Sequence, residues 1–218
     1  MRIPITPYGL RELAVAGALF VVGLVAGIIL PLYPLIPAVS LVLGFTAYFF
    51  RDPERQPPAG GNLLLAAADG TLTDIQTVDE PEFIGGPATR IGVFMSLFSV
   101  HVNRAPHAGR VAFVRRISGK FHNAMDVGRA SAENECNLIG LELADGRKLL
   151  VRQVAGVVAR RIVCSVRVGD ALAAGQRIGM VKFGSRMEVY VPADVDLDIR
   201  VKPGDAVWAG LSVLGELR

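Results

Sequence analysis

The segment Lys182–Pro192 reads Lys-Phe-Gly-Ser-Arg-Met-Glu-Val-Tyr-Val-Pro, and one short pattern flanks it on both sides. Before it, Val168–Gly175 reads Val-Gly-Asp-Ala-Leu-Ala-Ala-Gly, and after it, Pro203–Gly210 reads Pro-Gly-Asp-Ala-Val-Trp-Ala-Gly. Each copy is typical of a Gly-Asp turn that leads through a short apolar segment to a second Gly turn and a strand. The sequence therefore predicts two related β-units with the Gly184-Ser185 step between them.

The Gly184-Ser185 step allows two interpretations. In most proteins a Gly-Ser pair is an ordinary turn, in which Gly supplies permissive backbone angles and Ser caps the turn. A Gly carbonyl is also unshielded on one side, so the Ser185 hydroxyl can reach it through a five-membered ring, with the geometric advantage of tethered reactants. The step itself leaves both interpretations open.

Residues beyond 50 carry the signals of strands and tight turns. Six segments are short, rich in β-branched residues and partly alternating: Thr71–Val78, Arg90–Met95, Gly109–Arg116, Asn137–Leu143, Lys148–Val154 and Val157–Val168. No stretch there has a convincing long helical period. We therefore predict a mainly β fold, a barrel or sandwich, over residues 51–218.

The N-terminal part of the chain is apolar, and Leu13–Phe50 contains no charged residue. Prolines divide it into Leu13–Leu30 and Leu35–Phe50, which as helices would be about 27 and 24 Å long, near the lower limit for crossing a bilayer. The run is too long for a cleaved signal peptide and has no polar face for a soluble helical pair. We predict an α-helical membrane hairpin over residues 1–50.

Both flanks of the predicted hairpin are positively charged, through Arg2, Arg11, Arg51 and Arg55. Positive flanks lie on the cytoplasmic side of membrane proteins. The predicted location of the protein is therefore the cell membrane, with the β-rich part on its cytoplasmic face.

The composition argues against two classes of function. The net charge is +3, but the basic residues are scattered and form no stripe with aromatic residues, so no nucleic-acid partner is expected. The two cysteines, Cys136 and Cys164, form neither a metal-binding pattern nor a disulfide framework, and no metal site is predicted. Arginine does suit contact with phosphate and with anionic membranes, and Arg160 and Arg161 are candidates for the former.

Two further segments contain candidate site residues. Asp69 lies in Ala-Asp-Gly, but Asp145 lies in the same tripeptide within an evident hairpin turn, so this motif alone is poor evidence. His101, Asn103 and Arg104 lie within four residues on an apolar segment that Pro closes. Such a cluster of donors around an ionisable ring suits an anionic headgroup, although an ordinary loop has the same composition.

Six short motifs, taken together and in this order, resemble those of the pyruvoyl-dependent phosphatidylserine decarboxylases of the short prokaryotic type. The resemblance covers roughly Tyr48 to the C-terminus, and the apolar N-terminus also fits. Its motifs are Phe49–Pro53, Ala68–Gly70, His101–Pro106, Asn134–Asn137, Ala159–Ile162 and Lys182–Arg186. Any single motif is weak, whereas six in series are specific.

The resemblance implies a proenzyme that cuts itself between Gly184 and Ser185 into a large chain, 1–184, and a small chain, 185–218. Ser185 Oγ would convert the peptide bond to an ester, and removal of its α-proton would release the large chain. The remaining dehydroalanine would hydrolyse to a pyruvoyl group with loss of ammonia. That ketone would form a Schiff base with phosphatidylserine and release carbon dioxide and phosphatidylethanolamine, without metal or pyridoxal phosphate.

The resemblance also implies roles and partners. Asp69 would orient His101, and His101 would activate Ser185, as in a hydrolytic triad. Longer family members have a second histidine where this chain has Arg104, so His101 acts alone or with another group such as His107. The implied substrate contacts are Asn103, Arg104 and Arg186, and the implied partners are phosphatidylserine, the membrane, and the large and small chains as a heterodimer that can oligomerise further.

The flanking repeats also resemble biotinyl and lipoyl carrier barrels, and this resemblance supplies the main alternative. In a carrier, Lys182 would be the modified side chain, and in a membrane-anchored adaptor of the same fold Ser185 would be inert. A pyruvoyl enzyme for a soluble amino acid is the third possibility. The poor match around Lys182 and the apolar anchor favour the lipid decarboxylase.

Overall fold

The computed structural model describes residues 5–157, 161–182 and 184–218. The predicted flank Arg2, the phosphate candidate Arg160 and Phe183 of the cleavage motif fall outside the described residues. The chain forms two compact units, Met1–Glu54 and Arg55–Arg218.

The first unit is a pair of apolar helices. A 3-10 turn, Pro7–Gly9, leads into α1, Leu10–Ile29, and α2 follows as Leu35–Phe49. The helices approach closely because α1 presents glycines to α2: a Cβ on Gly23 would lie 2.6 Å from Val39, and one on Gly27 would lie 2.8 Å from Ile36. Small residues serve the same purpose in membrane helix pairs.

The first helix of this unit meets the length and composition of a membrane span. Pro7–Ile29 is long and apolar enough to cross a bilayer, whereas Leu35–Phe49 is shorter. Only 17% of the span is buried within the protein. The helical part of the predicted fold is confirmed, and its apolar surface is consistent with membrane association.

The second unit is built of strands, as predicted. An eight-stranded antiparallel sheet has the order β13-β2-β3-β11-β7-β6-β5-β9, and two three-stranded sheets have the orders β1-β14-β12 and β4-β10-β8. The strands are β1 Leu63–Leu65, β2 Gly70–Glu80, β3 Gly86–Met95, β4 Val102–Arg104, β5 Gly109–Ile117, β6 Cys136–Glu142, β7 Lys148–Val154, β8 Ile162–Cys164, β9 Ala171–Leu172, β10 Arg177–Val181, β11 Ser185–Pro192, β12 Leu197–Ile199, β13 Ala206–Val207 and β14 Val213–Leu217.

Strand β11 is central to the large sheet and fully paired. Ser185 lies opposite Met95 of β3, and Arg186 lies opposite Val154 of β7. Alternate residues of a strand point to opposite faces. Met187 and its alternating neighbours Val189 and Val191 accordingly belong to the main hydrophobic core, and Ser185 shares their face.

The two sequence repeats adopt the same structure. Gly169 and Gly204 have φ of +99° and +97°, which favours glycine, and their N–H groups donate to the carbonyls of Val111 and Leu72, each at 2.8 Å. The strands that follow, β9 and β13, pair with the first residues of β5 and β2. The predicted pair of related β-units is therefore present, and β11 and β7 lie between them at the centre of the sheet.

Two details differ from the predictions. The sequence predicts Val157–Val168 as one strand, but in its described part the strand is only Ile162–Cys164, and the chain then enters the Gly169 turn. A short helix, α3, covers Val127–Glu133 and begins where the Asp126 carboxylate accepts the N–H of Arg129 at 3.3 Å.

Candidate active site

The Gly184-Ser185 junction lies at the point where β11 begins. Gly184 has φ of +62°, in the left-handed region that side chains disfavour. Ser185 is completely buried, and its Oγ has no hydrogen-bond partner among the residues that the structure describes. A buried hydroxyl without a partner is unfavourable by about 1–3 kcal/mol, so its retention points to chemistry.

The carbonyl of Gly184 is packed against backbone. A Cβ on Gly156 would lie 1.8 Å from the Gly184 carbonyl oxygen and 3.5 Å from the Cβ of Ala124. Only glycine leaves room for the carbonyl in this position. Gly156 therefore fixes the orientation of the group that Ser185 would attack.

His101 is completely buried and directly precedes β4. Its Nδ1 lies 2.9 Å from the Ser99 carbonyl oxygen. Because a carbonyl only accepts, Nδ1 carries a hydrogen, and Nε2 is the nitrogen that bears the lone pair when the ring is neutral. This tautomer is the one that can take a proton at Nε2.

Asp69 is buried just before β2, and its carboxylate is held by other groups. Arg55 donates to both oxygens, at 2.5 and 2.8 Å, and the N–H of Ala209 donates to Oδ1 at 2.8 Å. Asp145, in the same tripeptide, is exposed in a hairpin turn and contacts Arg147. The two copies thus have different environments, which the tripeptide alone does not distinguish.

A row of buried amides leads towards Ser185. Asn137 donates to Gln153 at 3.0 Å, Gln153 donates to Asn103 at 2.9 Å, and Asn103 donates to the sulfur of Met95 at 3.6 Å. Met95 is the residue opposite Ser185. Gln153 was missing from the predicted site residues, although it alternates with Leu149 and Val151 and so faces the core, where a polar side chain needs partners.

Arg104 and Arg186, both predicted substrate contacts, are buried. Arg104 donates to the carbonyl of Gly175 at 3.0 Å, in the second turn of the first repeat. Arg186 lies on the opposite face of β11 from Ser185, where it binds Asp74, Thr73 and, at 2.7 Å, Glu188. The Arg186 guanidinium therefore does not lie on the face of β11 that holds the Ser185 hydroxyl.

Arg186 belongs to a buried charge network of five groups. Arg90 donates to Asp74 at 3.0 Å, and Arg152 lies 3.7 Å from Glu188. Burial raises the pKa of Asp74 and Glu188, but the hydrogen bonds and charges of the arginines, chiefly Arg186, outweigh it and leave both pKa values below their ordinary range. Both carboxylates are therefore ionised at neutral pH, inside the protein.

The other candidates are less suited to catalysis. Each ring nitrogen of His107 faces a carbonyl, that of Ala108 at 2.7 Å and that of Gly61 at 2.8 Å, so neither is directed at a substrate. Lys182 is buried, unlike the modified lysine that a carrier domain must present. Within the described part of the chain, no three His, Cys, Asp or Glu side chains are grouped to hold a metal ion.

An open cavity of about 500 Å³ lies beside β8. It is lined by Arg116, Asn137, Arg161, Ile162, Val163 and Cys164. The carbonyl of Arg161 accepts the N–H of Lys182 at 3.2 Å, which ties the cavity wall to the segment before Gly184. Among the described residues the Arg161 guanidinium has no ion-pair or hydrogen-bond partner.

Comparisons with known proteins cover the same region. A family model described as phosphatidylserine decarboxylase matches residues 42–215. A phosphatidylserine decarboxylase proenzyme from Ruegeria pomeroyi is 48% identical over 174 residues, which is 78% of each chain. Those from Symbiobacterium thermophilum and Ralstonia nicotianae are 45% and 46% identical, over 79% and 81% of this chain and 79% and 80% of their own lengths.

The family match includes β1 to β13 and the whole Gly184-Ser185 junction. The relatives are proenzymes by name, which fits a chain in which a left-handed glycine precedes a buried serine without a hydrogen-bond partner in the described part of the structure. The chain belongs to the phosphatidylserine decarboxylase family.

Proposed function

We propose that this protein is made as a proenzyme, cuts itself between Gly184 and Ser185, and then decarboxylates phosphatidylserine to phosphatidylethanolamine. The pyruvoyl group derived from Ser185 would supply a ketone that takes up the substrate amine and accepts the electrons left when carbon dioxide departs. The family, and the substrate in the relatives' names, support this assignment.

The observation that carries the proposal is the Gly184-Ser185 junction. Ser185 Oγ is buried without a hydrogen-bond partner among the described residues, and the Gly184 carbonyl is held against Gly156. Fixed reactants of this kind gain much of their rate from orientation. The bond from Ser185 Oγ to the Gly184 carbon forms as the peptide C–N bond breaks, and the hydroxyl proton passes to a base.

We assign the base to His101. Its Nδ1 hydrogen is directed at the Ser99 carbonyl, which leaves Nε2 to take the Ser185 proton and to return a proton later. We keep Asp69 as a proposed member of the site, but the Nδ1 hydrogen that it would accept in a triad is directed at Ser99, and its own carboxylate is held by Arg55 and the N–H of Ala209.

Asn103, Arg104 and Arg186 are better suited to supporting the site than to holding substrate. Their hydrogen bonds go to Met95, Gly175 and the charge network. For the headgroup phosphate we propose Arg161 instead, because this residue lines an open cavity and its carbonyl accepts the N–H of Lys182, two residues before Gly184.

The location and assembly follow from the same proposal. Residues 1–50 would be the membrane anchor, and residues 51–218 the catalytic domain on the cytoplasmic face, as the positive flanks indicate. The large and small chains would stay together as a heterodimer, because β11 is paired on both sides with strands of the large chain. A carrier role has less support, since Lys182 is buried.

Denaturing electrophoresis with intact mass tests the proposal. The folded protein should give two chains, and the small one should lack a free amine and react with hydrazine. Ser185→Ala should leave one uncut chain, whereas Ser165→Ala, at an exposed serine, should be cut normally. A single uncut 23.2 kDa chain that is nevertheless active would overturn the proposal.

The base assignment has its own test. His101→Ala should slow self-cleavage by about 10²-fold or more, the usual contribution of a positioned base. His122→Ala is the matched control, because His122 is bound to Glu133 and lies outside the proposed site. Self-cleavage of the His101→Ala variant at the normal rate would show that another residue is the base.

A further inference from the structure

The Gly184-Ser185 junction lies where the strands of the eight-stranded sheet begin or end on one side, along the line of their termini. There, β3 ends opposite the start of β11, at Met95 and Ser185. Strands β5 and β7 also end at this edge, since Ile117 and Val154 both lie opposite Cys136, the first residue of β6. The segment after β13 leaves from the same edge, because Val207 pairs with the first residue of β2. We call this line of strand termini the site edge.

The connections that leave the site edge expose large apolar side chains. These are Leu97 (38% exposed) and Phe98 (68%) after β3, Met125 (63%) after β5, Val157 (53%) after β7, and Trp208 (53%) after β13. We call these five residues the apolar rim. Most other large apolar side chains of the second unit are in its core clusters.

Three of these connections also touch the junction. Met95, opposite Ser185, leads into the turn closed by the Ser99 N–H and the Ser96 carbonyl at 3.0 Å, which carries Phe98. Gly156, against the Gly184 carbonyl, is followed by Val157, and Ala124, next to Gly156, is followed by Met125. Members of the rim therefore follow directly on segments that lie next to the junction.

We propose that the apolar rim inserts into the surface of the bilayer and so holds the site edge of the sheet at the membrane. The proposal rests on the proposed function for its partner, since the substrate named for the family is a membrane lipid. Single apolar side chains on separate loops suit a fluid interface better than a shaped protein groove. Tryptophan is the residue most typical of that interface.

Trp208 is the only tryptophan in the chain, so its fluorescence reports on the rim directly. The full-length Ser185→Ala protein, reconstituted in phospholipid nanodiscs, should show emission that brominated phosphatidylcholine quenches and that aqueous acrylamide quenches poorly. This variant retains the rim without self-cleavage, so the result is independent of the proposed chemistry. Full quenching by acrylamide with none by brominated lipid would overturn the proposal.

A kinetic comparison uses the self-cleaved protein. Phosphatidylserine in vesicles requires the interface, whereas short-chain phosphatidylserine below its micelle concentration does not. Phe98→Ser and Met125→Ser should each lower the ratio of kcat/KM on vesicles to kcat/KM on soluble lipid by about 10-fold, as expected for removing one apolar anchor.

The matched control is Val168→Ser, at a side chain that is 62% exposed near β9, away from the site edge. This variant should leave the ratio unchanged. An equal fall in both activities of the rim variants, or no change in the ratio, would contradict membrane insertion and assign these residues to the structure of the site alone.

Discussion

At the scale of single residues, the geometry of the candidate site depends on two glycines, Gly184 and Gly156. Gly184 takes a left-handed conformation, and Gly156 leaves space for its carbonyl. Neither contributes a functional group, yet together they set the path from Ser185 Oγ to the carbonyl carbon. Orientation of this kind is sensitive to displacements of about 1 Å.

Gly156→Ala tests this orientation. The added Cβ would lie 1.8 Å from the Gly184 oxygen, so the carbonyl must move and self-cleavage should slow by about 10²-fold. The measurement is the rate at which the uncut chain disappears after synthesis. Gly86→Ala is the control, because a Cβ there meets nothing within 4 Å, and equal rates for both variants would contradict the assigned role.

The sequence proposes the residues of the candidate site but does not predict their contacts. Ser185 and Gly184 are proposed from the motif and its flanking repeats, because the expected chemistry is local to the chain. The hydrogen-bond partners of Asp69 could not be predicted, because Ala209 is distant in sequence and only the folded chain brings Arg55, Asp69 and Ala209 together. Gln153 and Asn137 are likewise joined across neighbouring strands.

At the scale of elements, β11 divides two environments. Its core face carries Ser185, and its other face carries Arg186, Glu188 and Tyr190, of which the first two are fully buried. The sheet thus separates the Ser185 side chain from the charged network around Arg186. A buried network costs desolvation, but removal of one member leaves an uncompensated charge.

Arg186→Met should therefore destabilise the fold strongly. Asp74 and Glu188 would lose their shared partner, and we expect the free energy of unfolding to fall by about 3–5 kcal/mol. Arg200→Met is the control at an exposed pair with Glu216, where the expected loss is below about 1 kcal/mol. Urea unfolding of the Ser185→Ala background measures both, and similar losses would contradict the role of the network.

The same charge network predicts how the stability of the folded protein changes at acidic pH. The pKa values of Asp74 and Glu188 are lower in the folded protein than their ordinary values of 3.8 and 4.5, so the stability they contribute is present above that range and is lost as the pH falls through the folded pKa values. The urea midpoint of the Ser185→Ala protein should fall as the pH drops below about 4. In Arg186→Met the two pKa values should rise, so acidification should destabilise that variant less; an identical pH profile would contradict this account.

At the scale of the whole molecule, the sequence predicts which secondary-structure elements are present but not how the strands pair in the sheets. The helical pair, the strands and the repeated Gly-Asp turns follow from local patterns, and the structure confirms them. The order of strands does not follow, because β11 pairs with β3 and β7 through contacts far apart in the chain. The extent of β8 does not follow either, because its β-branched residues predict a longer strand than Ile162–Cys164.

The position of β11 has a consequence for the life of the molecule. Strand β11 would take its central place in the sheet while the chain is continuous, because the proposed cut follows folding. After the cut, global unfolding would release two polypeptides, and refolding would become a bimolecular reaction instead of an intramolecular one. Self-cleavage would thus make unfolding effectively irreversible, and the lifetime of the mature protein would be set by its unfolding rate.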